Sequence, residues 1–117
     1  MKKEYNLEIL TTAQYEIEEI ASVHMELSGP KSAEKITNKI YLALERLETF
    51  PEMGLLCKDK HLAALGYRML VCGNYLCFYR QLNNIIYIHH IADGRSDYPK
   101  LLSDLTEQNI FRESNET

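Results

Sequence analysis

From Tyr5 the chain alternates, with Tyr5, Leu7 and Ile9 set against Asn6 and Glu8, which predicts a short strand over 5–10. Thr11-Thr12-Ala13-Gln14 then carries a capping-box signal with Thr11 as the N-cap. Beyond it Ala13, Ile17, Ile20, Ala21, His24 and Leu27 recur at helical spacing, while Glu16, Glu18, Glu19 and Glu26 take the wet side. Gly29-Pro30 stops this helix. A second helix is predicted from about Lys31 to Thr49, with Ala33, Ile36, Ile40, Ala43, Leu44, Leu47 and Phe50 as its apolar stripe. So short a connection makes the two helices an antiparallel hairpin. Pro51 ends the second helix, and Pro51-Glu52-Met53-Gly54 opens a loop of about a dozen residues. After that loop the period falls from 3.6 to 2. Tyr67–Cys72, Tyr75–Leu82 and Ile85–Asp93 read as three strands, joined by two-residue turns at Gly73-Asn74 and Asn83-Asn84.

The predicted order is β-αα-βββ. It is an α+β fold with a helix hairpin packed on one face of a small, antiparallel-rich sheet. The turns fix a register in which Leu82 opposes Ile85, Arg80 opposes Tyr87 and Phe78 opposes His89. One face then holds Met69, Val71, Leu76, Phe78, Arg80, Tyr87, His89 and Ile91. The other holds Arg68, Leu70, Cys72, Tyr75, Cys77, Tyr79, Ile86, Ile88 and His90. Both are largely apolar, whereas a sheet covered on one side should alternate cleanly. Something should therefore cover the second face, either the C-terminal segment or another protein. A β-bulge would exchange these labels locally.

The length of 117 residues predicts a single domain over 1–102, followed by a polar, acidic, frayed tail over 103–117. At 45% hydrophobic residues the chain is too apolar for a disordered protein. It has neither a membrane-length apolar run nor a signal-peptide pattern, so a cytoplasmic location is expected. Cys57, Cys72 and Cys77 match no zinc spacing and read as reduced structural thiols; no metal and no cofactor are expected. The net charge of −4 is unevenly spread. Residues 1–57 carry six Lys/Arg against ten Asp/Glu, residues 58–102 six against three, and residues 103–117 one against four. A locally basic segment on an acidic chain suits a polyanion or an acidic partner, although uneven solubilisation gives the same pattern. The low overall pI argues against indiscriminate nucleic-acid binding.

Candidate chemistry gathers late in the chain. Arg80, Tyr87 and His89 share one predicted face, and Arg95 and Tyr98 follow the last strand. An arginine, a histidine and a tyrosine together can move protons and stabilise charge in phosphodiester cleavage. The same residues can equally be cross-strand packing and a structural ion pair. Arg80, His89, Arg95 and Tyr98 are therefore the candidate catalytic set. His90 and His24 read as satisfied structural histidines. Lys58, Lys60 and Arg68 are candidate target-binding cations, with Lys58 and Lys60 in a loop that either touches phosphate or is simply solvated. No Gly-rich phosphate loop, nucleophile elbow or paired-carboxylate signature is present.

The run Leu47-Glu48-Thr49-Phe50-Pro51-Glu52-Met53-Gly54, then Gly66-Tyr67-Arg68-Met69-Leu70-Val71, then Gly73-Asn74-Tyr75-Leu76-Cys77-Phe78-Tyr79-Arg80, and finally Asp93-Gly94-Arg95-Ser96-Asp97-Tyr98 resembles the RelE/ParE superfamily. These are toxins of bacterial type II toxin–antitoxin (plasmid-stabilisation) modules, and the likeness covers residues 5 to about 102. It implies the β-αα-βββ order, growth inhibition and a cognate antitoxin laid over helices and sheet. It also implies one of two targets: DNA gyrase for ParE-like members, or mRNA in the ribosomal A site for RelE-like endonucleases. A third possibility is a degenerate, non-toxic binding module. RelE-type nucleases often place an arginine directly after the aromatic residue that opens the middle strand. Leu76 stands there in this chain, which tilts the expectation slightly toward gyrase.

Overall fold

The computed structural model describes residues 4–94. The elements are β1 (Asn6–Ile9), α1 (Thr11–Ser28), α2 (Pro30–Arg46), β2 (Leu55–Leu56), α3 (Lys60–Ala64), β3 (Arg68–Cys72), β4 (Tyr75–Leu82) and β5 (Ile85–Asp93). The five strands form one sheet in the order β1-β5-β4-β3-β2. The expected α+β architecture and meander are present, and the first strand joins them by pairing parallel to β5. The predicted frayed tail over 103–117 lies outside the described residues.

Local chemistry explains most boundaries. Gly29 alone separates the two helices, at φ 88, a left-handed conformation that L side chains rarely adopt. Pro30 follows at the first helical position, where its missing N–H costs nothing. Gly73 and Asn83, both at positive φ, make the two hairpin turns. The capping box does not form. Leu10 occupies the N-cap without a side-chain bond, and the Gln14 amide donates instead to the Ile9 carbonyl at 2.7 Å. The second helix stops at Arg46, so Phe50 leaves the apolar stripe and is exposed. The predicted loop contains both β2 and α3. Asp59 caps α3 by accepting the Leu62 N–H at 3.0 Å.

Two apolar layers flank the sheet. The helix hairpin brings Ala13, Ile17, Ile40 and Leu44 against Leu70, Cys77, Tyr79, Ile86 and Ile88. On the other side Cys57, Leu62 and Tyr67 pack against Leu76, Phe78 and Ala92. The second face is thus covered in good part by the chain's own α3 region. The three cysteines are free and buried. Burial pushes the Cys57 thiol up to about 11 and the Cys77 thiol up to about 12, which leaves them unreactive near neutrality.

The loop after α2 is pinned through Tyr79. The buried Tyr79 hydroxyl donates to the Pro51 carbonyl at 2.8 Å and accepts the Gly54 N–H at 2.9 Å. Arg68 completes the clamp, its guanidinium donating to the Gly54 carbonyl at 2.7 Å. A Cβ at Gly54 would stand 2.8 Å from the Tyr79 ring and 2.9 Å from the Met69 carbonyl oxygen, so the backbone approaches as only glycine allows. Replacing Tyr79→Phe removes two hydrogen bonds and strands a buried N–H, which should lower stability by about 2 kcal/mol in urea unfolding. The exposed control Tyr15→Phe should change nothing; a Tyr79→Phe midpoint equal to the parent's would contradict the clamp.

Candidate functional site

β4 and β5 bring the candidate residues together, but not in the expected register. Leu82 opposes Ile85 and Arg80 opposes Tyr87, as read from the turn, and then an irregularity falls between Phe78 and Tyr79. Tyr79 opposes Ile88 while Phe78 opposes His90, so β5 carries one extra residue, His89. The expected Phe78–His89 pairing is therefore wrong. Ile91 moves to the helix side with Ile88, and Ala92 takes its place against Leu76 and Phe78. The bulge lets one strand supply apolar side chains to both layers while turning two adjacent histidines inward.

Arg80, His89 and His90 make up the buried polar side chains of the described residues. Two of them meet Tyr67, which the sequence predicts only as a strand end. Its ring lies 4.9 Å beneath the Arg80 guanidinium and meets the His89 imidazole edge-on, 5.0 Å between centroids. The only forward sign of this role is an aromatic residue directly after Gly66, at the entrance to β3. Burial first, then the Arg80 charge, then His90, push the His89 imidazole down to about 4. At neutral pH His89 is uncharged, and its Nε2 is buried without a hydrogen-bond partner among the described residues. An imidazole so far below the working pH is a poor proton donor. His90 Nδ1 lies 3.4 Å from Glu16 Oε1 of α1. The same carboxylate oxygen accepts the Ile91 N–H at 3.1 Å.

The other candidates are scattered. Lys58 and Lys60 are exposed on either side of Asp59, at the start of α3. Arg68 is partly buried and committed to the Gly54 carbonyl. Arg95 and Tyr98 lie outside the described residues. His24 is structural: its Nε2 is 3.0 Å from the Tyr75 hydroxyl and its Nδ1 3.2 Å from Ser32 Oγ, tying both helices to β4. Among the described residues no group of three or more His, Cys, Asp and Glu side chains is placed to hold a metal. No described helix is long and apolar enough to cross a membrane.

The chain matches the family model of the ParE toxin of the type II toxin–antitoxin system parDE over residues 7–98. No curated protein matches it by sequence. Among solved structures it is similar to a chain of the chromosomal ParDE system from P. aeruginosa, at 19% identity and a TM-score of 0.66. That match covers 79% of this chain and 98% of the other. It is also similar to a chain of a RelBE toxin–antitoxin complex from Mycobacterium tuberculosis, at 18% identity and a TM-score of 0.57, covering 77% and 98%. At such identities these structures speak for the fold.

The depressed His89 value has a consequence for stability. Folded His89 stays neutral down to about pH 4, whereas an unfolded histidine titrates near 6.5. Below pH 6.5 the unfolded state takes up a proton that the native state refuses, so stability falls as pH drops and levels off near 4. The loss over that window should be about 3 kcal/mol, read by urea unfolding at stepped pH. His89→Gln should flatten this part of the profile; an unchanged profile would show that His89 titrates normally.

Proposed function

Because the chain belongs to the ParE toxin family of type II toxin–antitoxin systems, we propose that it inhibits growth by binding DNA gyrase and that a cognate antitoxin neutralises it. The observation that carries the choice of target is Leu76. It stands where the resemblance to RelE-type nucleases would call for an arginine, and it is buried against Phe78 and Ala92. A leucine there supplies packing and no charge for a phosphorane. Arg80 and His89 point the same way. The first lies over Tyr67 in the fold, and the second is neutral and enclosed. Lys58 and Lys60 present their charges to solvent and are cations available to a target.

The test is supercoiling by purified gyrase with the toxin added. Inhibition is expected, with SOS induction in cells that express the chain without its antitoxin. The double variant K58E/K60E should weaken inhibition about tenfold with its thermal unfolding unchanged, since exposed charge acts on association more than on the fold. Unaffected supercoiling, together with cuts in mRNA at the A site of translating ribosomes, would replace gyrase with the ribosome. Normal growth on expression alone would leave a binding module without toxicity.

A further inference from the structure

The helix hairpin sorts its charges by helix. α1 carries Glu16, Glu18, Glu19 and Glu26 and no lysine or arginine, whereas α2 sets Lys31, Lys35, Lys39 and Arg46 against Glu34 and Glu45. The inward positions are apolar, with Ala13 and Ile17 of α1 and Ala33, Ile40 and Leu44 of α2 buried. Half a helical turn away from them stand Tyr15, Glu18, Glu19 and Glu26 on α1 and Lys31, Lys35 and Leu42 on α2, all exposed. Tyr15 is 66% exposed and Leu42 57%, so each stripe also carries a large apolar side chain in water. Among the described residues no ion pair joins the two stripes. An acidic and a basic row therefore lie side by side on the outer surface of the hairpin, both turned to solvent.

Such a surface is selective. A polyanion laid across it would meet the α1 carboxylates, and a polycation the α2 lysines. A surface with both signs in the reverse order fits, and the hairpin itself, turned over, is one. Gly29 is the turn between the antiparallel helices, so residues about equally far from it along the chain lie level with one another. Glu26 is level with Lys31, Lys35 falls between Glu26 and Glu19, and Tyr15 is level with Leu42. A two-fold axis running along the hairpin, between its helices, lays α1 of one copy over α2 of the other and keeps every one of these levels. Acid then meets base along both helix pairs, and Tyr15 meets Leu42 twice.

We infer that the outer side of the hairpin is the interface of a symmetric homodimer, with α1 of each copy against α2 of the other. The 18 residues of α1 make a rod about 27 Å long, and two helices abreast are about 20 Å wide, a footprint of roughly 500 Å². That is toward the small end for a specific contact, so the dimer is weak and reversible, and its exposed ion pairs make it salt-sensitive. Any other chain that uses this side of the hairpin must compete with the second copy. The inference stands on the hairpin alone, whichever target the toxin binds.

The test is sedimentation equilibrium of the full chain. The weight-average mass should rise from monomer toward dimer between about 5 and about 500 µM protein in about 20 mM salt, and association should weaken at least about tenfold in about 500 mM salt. Two variants reverse one stripe each: E19K/E26K on α1 and K31E/K35E on α2. The exchanged positions are exposed and both residue types suit a helix, so thermal unfolding of each should match the parent's. Alone, each variant should self-associate at least about tenfold more weakly, because like charges now face each other. Mixed in equal amounts, the two should pair with the parent's strength, since the signs match again across the two-fold. A parent that stays monomeric throughout overturns the inference and leaves the hairpin to another chain. So does a dimer indifferent to salt, a dimer that either variant still forms alone at full strength, or a failure of the two variants to pair when mixed.

Discussion

β5 is the strand on which both layers of the molecule depend. It is bonded to β1 on one side and β4 on the other, and it must send apolar side chains to the helix hairpin and to the α3 layer at once. A regular strand alternates strictly, and its sequence Ile85-Ile86-Tyr87-Ile88-His89-His90-Ile91-Ala92-Asp93 does not fit that demand along its whole length. The extra residue at His89 resolves it. Ile86, Ile88 and Ile91 then all face the helices, Ala92 completes the opposite layer, and the polar pair falls where the phase changes.

The cluster around Tyr67 follows from that shift. Arg80 and His89 are buried where a ring can take one on its face and the other at its edge. This arrangement joins the residue just before β3 to β4 and β5 without an apolar side chain at two of its three positions. Its effect on chemistry is conservative. It keeps His89 neutral and holds Arg80 inside the fold. The exposed lysines flanking Asp59 and the acidic, aliphatic side of α1 lie instead at the periphery.

The sequence carried the elements well because their signals are local. The ends of β4 and β5 are set by Gly73-Asn74 and Asn83-Asn84, and the helix hairpin by Gly29-Pro30, where φ restrictions act within a residue or two. The bulge left no such mark, since Tyr87, His89 and Ile91 are equally consistent with an unbroken strand. The pairing shift comes from packing demands on two distant layers. The α3 layer was missed for a similar reason. Asp59 three residues before Leu62 was a visible capping signal, but a five-residue helix has no periodicity to read. Arg68 looked like a surface cation because nothing in the chain announces that Gly54 would come within its reach. Family membership, by contrast, was legible in the succession of short runs from Leu47 to Tyr98, and the family model covers nearly the same span.

The bulge itself is open to direct observation. Cross-strand proton contacts measured by NMR on the isotopically labelled protein report which residue of β5 faces Phe78. Strong backbone contacts between Phe78 and His90, with Tyr79 still paired to Ile88, are the expected result. Contacts between Phe78 and His89 in an unbroken ladder would mean that β5 is regular, and the two-layer account built on its change of phase would fail.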